Sequence, residues 1–508
     1  MSTVQGMYFS RNKGELQSYD FKQPLTVNAD EELDVFITDV ANQTIDIAEL
    51  RQIKHALIPP LIASVGERAK VNVTISNCAN VEVGRSLTLG TTPVNETEDE
   101  ESSLIASIIN GAIGKHAIVN IKIENSANVN LLNASGILII DGGSLIEELI
   151  NIPEDGVQPD NVELHIEMKN SAQVNSYNSL NNWGQLTIYA GQLLNEMLDC
   201  LDIANSQIYI KASDVAMVHA HTVKIYEGEL VDEIIDTQSI NNSNIEITLH
   251  NMANVFSDNV RIDEGELIDE LIDASGTINS SHINIIITEA GCVNAKTVEV
   301  ISGELIDELI DTLSINDSNI EITLQTLANV DSETLRIYEG ELIDELIDAS
   351  GTIKSCGITI IVRDSACVKS NAVEIISGEL IDEIIDTTDI STSTIEIRLD
   401  NSAEVISDTL NLNEAELIDE IIDSAILSDN TSINIHINSS ANVNNNLLKM
   451  VNSQLLDEII DCASLINNSV KIDLLDSACV NPLTRTELTN SVLMATVIDA
   501  EYTVEQSL

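Results

Sequence analysis

A nine-residue block reading Gly-Glu-Leu-Ile-Asp-Glu-Leu-Ile-Asp, or a close variant, recurs along this chain at a nearly fixed interval, and that recurrence narrows the folds open to it. Gly228, Gly265, Gly303, Gly340, Gly378, Ala415 and Ser453 head successive copies, spaced 37, 38, 37, 38, 37 and 38 residues apart. The alternation makes a pair of coils, 75 residues long, the better unit. Content agrees, because Ser243–Leu249 (SNIEITL) returns unchanged at Ser318–Leu324, one pair later.

A second marker carries the array further. A small residue followed two positions on by Val occurs at Ala79, Ala127, Ala172, Ala216, Ala253, Gly291, Ala328, Ala366, Ala403, Ala441 and Ala478, and Ala41 takes the same place with a weaker flank. That predicts about twelve coils between residues 33 and 480. Longer intervals locate acidic, Pro-containing loops at 93–101 and 153–160.

Each coil reads alike. Ile245-Glu-Ile-Thr-Leu249 alternates as a strand with one buried face, and Val260-Arg-Ile262 is a shorter alternating piece. Asn, Ser, Asp and Gly supply the turns, and Pro is nearly absent from the array, as backbone ladders require. The expected fold is therefore a repeat solenoid, mainly β: a parallel β-solenoid of about twelve 37–38-residue coils. Ile245, Ile247, Leu249, Val255 and Val260 should point inward. The repeated Ala should sit at a tight corner, and the Asn after it (Asn80, Asn128, Asn254, Asn329, Asn442) should form a side-chain ladder along the stack. Cys292, Cys367 and Cys479 share that place in other coils and are expected to act as small buried hydrophobes.

The acidic block resists a strand reading. In Leu267-Ile268-Asp-Glu-Leu271-Ile272 a strand would put charge on both faces, whereas a helix gathers all four apolar residues into a stripe about 140° wide. The expectation is a short acidic amphipathic helix in each coil. Leu57-Ile58-Pro-Pro-Leu61-Ile62 cuts against it, because Pro is tolerated only in a helix's first turn. Packed helices sit about 8–10 Å apart and stacked strands about 4.8 Å, so one straight column of helices cannot fit. Helices of alternate coils in two columns, rather than a curved stack, suit the 37/38 alternation better.

Composition enters at this point. The chain of 508 residues carries 83 acidic and 23 basic side chains, a formal charge of −60. Its length alone would suit two to four ordinary domains. With no basic patch to neutralise phosphates, nucleic acid is excluded as a partner, and no apolar run is long enough to enter a membrane as a helix. Seven scattered cysteines without a CxxC suit a reducing compartment. The start lacks a secretory signal pattern, which suggests a cytoplasmic protein or export by a signal-less route.

Catalytic signatures are wanting. The pairs Asp269/Glu270, Asp307/Glu308, Asp344/Glu345 and Asp382/Glu383 are equivalent by repetition, whereas an active site needs one exceptional constellation. The chain is therefore expected not to be an enzyme and to need no certain cofactor. Those eight carboxylates are the candidate metal ligands, for weakly bound divalent cations. At about 10 Å in water, repulsion is only about 0.4 kcal/mol per pair, but it multiplies along a column. His219-Ala-His221 could set two imidazoles on one strand face, although a solvated face is the plainer reading.

The ends differ from the middle. Residues 1–70 hold seven basic and ten acidic residues, and three of the four Phe lie within the first 36. Three segments follow: an N-terminal cap or assembly segment at 1–32, the repeat array at 33–480, and a C-terminal cap segment at 481–508. The expected function is a structural, self-assembling acidic solenoid (filament, sheath or surface-fibre subunit), with the chain itself as partner, growing head to tail. Tyr8, Phe9, Tyr19 and Phe21 are the expected interface, meeting a neighbour near Ala478–Val480. The alternative is a cation-, mineral- or glycan-binding module that uses the acidic face.

Overall fold

The structure, a computed structural model, describes residues 6–504 apart from 13, 21, 91–101, 134, 154–155, 177–183 and 497. The chain is a parallel β-solenoid of about twelve turns, built almost entirely of strands and turns. It divides into two compact units, Met1–Asp258 and Asn259–Leu508. In both, a coil crosses three parallel sheets in a fixed order around an apolar core.

In the first unit, the first sheet runs Glu32–Thr38, Lys70–Ser76, Ile118–Glu124, Glu163–Lys169, Gln207–Val215 and Asn244–Met252, each parallel to the next. An antiparallel hairpin, Gly6–Ser10 with Glu15–Tyr19, lies outside Glu32–Thr38 and closes that sheet. The second sheet carries two short strands per coil, such as Val129–Leu131 and Ile137–Asp141, and the third sheet one, such as Leu198–Ala204.

In the second unit one coil consists of Asn319–Leu327, Val330–Tyr338, the acidic block, and Asp348–Lys354. Strict alternation buries Ile320, Ile322 and Leu324 completely, and the neighbouring strand Gly357–Arg363 repeats the pattern in register. The expected inward positions Ile245, Ile247, Leu249, Val255 and Val260 are all buried. Burying alternate members of the strands together with the corner residues gives the core its uniform Ile, Leu and Val content.

Corners are made by residues in the left-handed region. Ala328 has φ 50° and Thr326 φ 58°, and Ala79, Ala127, Ala366 and Ala441 lie between 49° and 54°. Gly291, with φ 60°, holds the same place and is the residue that adopts it at least cost. These alanines are fully buried, so the corner demands both a small side chain and a left-handed backbone. Sequence reasoning expected only the first demand.

At Asn80, Asn128, Asn329 and Asn442 the Asn after the corner joins coils through the backbone rather than through amide–amide bonds, whereas Asn254 donates to Asn251 Oδ1 within its own coil at 2.8 Å. Asn128 donates from Nδ2 to Asn170 O at 3.0 Å and accepts from Gln173 N at 2.9 Å, both in the next coil. Asn329 does the same, with Asp364 O at 2.7 Å and Cys367 N at 2.7 Å. Cys367 then sends its thiol to Asn401 O at 3.1 Å, the bond that an Asn amide makes elsewhere. Cys292, whose thiol reaches Thr326 O at 3.2 Å, and Cys367 are half-buried and replace a donor as well as filling space, whereas Cys479 is exposed. A parallel serine column works inside the corner, as where Ser402 N donates to Ser440 Oγ at 3.2 Å.

The helix expected in each coil is not present; among the described residues there is none. In the second unit the block is an extended, bent segment that pairs coil to coil, Ile268 with Ile306, Ile306 with Ile343, Ile343 with Ile381 and Ile381 with Ile418. Leu267, Ile268, Leu271 and Ile272 are nonetheless all buried, because the chain bends outward at Asp269–Glu270 and returns. The physical reason is the coil spacing: a ladder at about 4.8 Å leaves no room for helices about 8–10 Å apart. Two columns of helices are unnecessary once the ladder runs through the block.

Of the expected loops, 93–101 lies outside the described residues. Within 153–160 the described part turns back on itself, with Gly156 N donating to Pro153 O at 2.7 Å. At the C-terminal end, Val480–Thr489 pairs in parallel with Val443–Val451, and Asp499–Val504 with Ile460–Ile466.

Candidate functional site

The acidic blocks headed by Gly303, Gly340 and Gly378 open on a column where backbones nearly touch. A Cβ on Gly340 would lie 2.6 Å from Gly303 O, and one on Gly378 would lie 2.5 Å from Gly340 O, which explains the glycine at the head of the block. From there the backbone locks each carboxylate to its neighbours: Asp344 N donates to Ile306 O at 3.0 Å, Asp382 N to Ile343 O at 3.0 Å, and Glu383 N to Asp344 O at 3.2 Å. The side chains therefore cannot spread apart along the stack.

Two kinds of column result. In the first, Glu304, Glu341 and Glu379 are joined by carboxyl–carboxyl hydrogen bonds. Beside them stand Asp344 and Asp382, which share a hydrogen bond. Burial, then the neighbouring carboxylates, raises Glu304, Glu379 and Asp344 well above the usual carboxylate range.

The second column forms triads. One oxygen each from Glu270, Glu308 and Asp311 lies within 4.8 Å of the other two, and Glu308, Glu345, Asp348 and Glu345, Glu383, Asp386 repeat the arrangement. Each Glu is thus shared by two triads. Burial, then adjacent charge, pushes Glu308 up to about 9, Glu345 up to about 8 and Glu383 up to about 9. Glu308, Glu345, Glu383 and Glu420 each keep one buried oxygen with no hydrogen-bond partner. The first unit contains the same arrangement in Glu196, Glu233 and Asp236.

Basic side chains are spent elsewhere. Arg336 pairs with Glu374 at 3.7 Å, Lys369 with Asp331 at 4.0 Å, and Arg398 with Asp400 at 2.7 Å, all on strand faces outside the block. Oxygens within 4.8 Å of one another can surround one hard cation whose bonds are about 2.3–2.6 Å long. Three oxygens fall short of the six to eight that calcium takes, so water would complete such a shell.

The eight expected ligands separate accordingly. Glu270, Glu308, Glu345 and Glu383 fall in triads, whereas Asp344 and Asp382 belong with the hydrogen-bonded column. Asp307 lies beside Asp344, whose proton its charge helps to hold, and Asp269 occupies the equivalent place in its own block. Sequence reasoning passed over Asp311, Asp348, Asp386 and Glu196, although the closing Asp of each block was the available signal.

His219 stacks on Phe256 with centroids 4.7 Å apart, and burial lowers its pKa, while His221 Nδ1 lies 2.8 Å from Asp258 Oδ2. A bend after Val218–His219 breaks the strand that would have aligned the two imidazoles. At the N-terminal end, Tyr8 and Phe9 are half-exposed on Gly6–Ser10, and the Tyr8 hydroxyl donates to Gln17 Oε1. Tyr19 ends the outer hairpin strand, and Phe21 lies outside the described residues. Compared with protein-family models, curated proteins and solved structures, the chain matches none of them.

Proposed function

We propose that the chain is a structural, self-assembling β-solenoid, the subunit of a filament, sheath or surface fibre that grows head to tail. The observation that supports this is an apolar face left open on the coil around Val470–Leu474. Ile433, Ile435 and Ile437 are buried, yet Val470, Ile472 and Leu474, which pair with them in register, are not, and Leu474 is 37% exposed. Leu488, Val492, Leu493 and Met494 are exposed at the same end. Open strand edges lined with apolar side chains invite pairing with another chain. The opposite end offers Leu16, Ile47 and Leu50, each more than 60% exposed, on a nearly neutral segment. Like-charged flanks oppose side-by-side association, so a heterologous contact between the two ends meets least repulsion, and such a contact does not close.

Electron microscopy and sedimentation at high salt test the reading. Filaments are expected, and deletion of residues 1–25 should abolish them while leaving the coils folded. A full-length protein that stays monomeric at high salt, or a truncated one that still polymerises, would overturn it.

A second reading rests on the triads: the acidic face binds divalent cations, loosely and in series. Titration with calcium should raise the unfolding temperature with several equivalents bound per chain. Monovalent salt giving the same rise at equal ionic strength would reduce the effect to screening.

A further inference from the structure

The second unit holds a groove lined mainly by Asp, Asn and Ser residues and separate from the carboxylate columns. It has a volume of about 500 Å³, in the range of ligand sites, and crosses the strands of the second sheet. Asp331, Lys369, Ile406, Asn444 and Asn481 stand in register along one side, one from each of five successive coils. On the other side stand Asn371, Asp408 and Asn446, which the strand pairing skips in each of these coils.

We propose that this groove binds a neutral, extended oligosaccharide lying along the solenoid axis. Along Asn371, Asp408 and Asn446 amide and carboxylate groups alternate, and they offer a donor and an acceptor, or two acceptors, to adjacent hydroxyls. They are held in place for it: Asn446 Nδ2 donates to Asp408 Oδ1 at 2.7 Å, Asn481 Nδ2 to Asn444 Oδ1 at 3.1 Å, and Asn444 Nδ2 to Glu404 Oε1 at 2.7 Å. Ile406, 46% exposed, supplies one apolar contact midway for a sugar face. Repetition at about 4.8 Å per coil is close to the length of one sugar unit in an extended β-linked chain. An anionic glycan is disfavoured by Asp331, Asp408 and the net charge of −60, with Lys369 the one cation among the described lining residues. A peptide strand is disfavoured because the strands from Val368–Ile376 to Val443–Val451 are paired on both sides and have no free backbone edge to extend.

Calorimetric titration of the full-length protein with three neutral hexasaccharides (cellohexaose, xylohexaose and mannohexaose) tests this. At least one should bind at micromolar to millimolar concentration, and Asp408→Ala and Asn444→Ala should each weaken it by about tenfold or more. Ile406→Trp, which fills the groove without removing a polar group, should also abolish binding, whereas Glu396→Gln, on the exposed face of Thr394–Asp400, should leave it unchanged. Unfolding temperatures of the variants confirm that the coils persist. Absence of binding by all three sugars, binding undiminished in the groove variants, or stronger binding of an Asn- and Ser-rich peptide would each overturn the proposal.

Discussion

Glu308 and Glu345 stand one coil apart, place an oxygen each in one cluster with Asp348, and still keep one buried oxygen apiece without a hydrogen-bond partner. Neither can move away, since the backbone ladder through Ile306 and Ile343 holds their coils together. The folded chain therefore concentrates charge that the unfolded chain disperses.

Stability without divalent cations should consequently fall as pH rises. Glu308 is held at about 9 and Glu345 at about 8 in the folded state, against 4.5 for an ordinary Glu. Between those values the folded chain keeps protons that the unfolded chain has released, so each unit of pH costs up to about 1.4 kcal/mol per such group. The loss should begin near pH 4.5 and level off above about 9. Unfolding temperatures in chelator at pH 5, 7 and 9 check it; a flat or rising series contradicts it.

Glu345→Gln should stabilise the cation-free protein at pH 8, because it removes one member of two like-charged triads while keeping its size. The same change should reduce the stabilisation obtained from calcium. Thermal melts with and without the ion report both effects, and a destabilised chelated variant would show that the carboxylate is held by attraction.

Ala328→Leu should cost about 1–3 kcal/mol by overpacking a fully buried corner. Asp344→Asn, on the acidic face, should be neutral or stabilising. Denaturant unfolding of the two variants decides whether corner and face carry the burdens assigned to them, and equal effects would not fit.

Asn329→Ala should cost about 1–2 kcal/mol, since it removes the bonds to Cys367 N and Asp364 O. Asn329→Cys should recover part of that loss, as a thiol takes this role at Cys367. A cysteine variant no better than alanine would reduce the thiol's role to space-filling.

Much of this architecture could be read before any coordinates. Ile245, Ile247 and Leu249 announce a strand because alternation with one buried face leaves little choice, and the interval between glycine heads sets the coil. Leu267-Ile268 and Leu271-Ile272 misled, because two buried pairs around an outward bend have the same spacing as a helical stripe. Pro59-Pro60, in the equivalent block, was the residue-level warning. The carboxylate columns were visible as repetition, but the grouping of Glu308 with Glu345 and Asp348 was not, since it depends on which side of the bend each residue leaves. The left-handed Ala328 could not be inferred either, as alanine is an uncommon choice for that conformation.

The asparagine bonds carry one more implication. Asn80 reaches to Asn125 O, Asn128 to Asn170 O, Asn329 to Asp364 O and Asn442 to Asp476 O, always toward the C-terminal neighbour and never back. Each unit thus has an arrow written along it by side chains, independent of strand direction. A coil inserted upside down would set amide against amide and carbonyl against carbonyl. Lengthening by duplication is therefore easy and inversion forbidden, and any polymer built by continuing the ladder would be unipolar, with two chemically distinct tips.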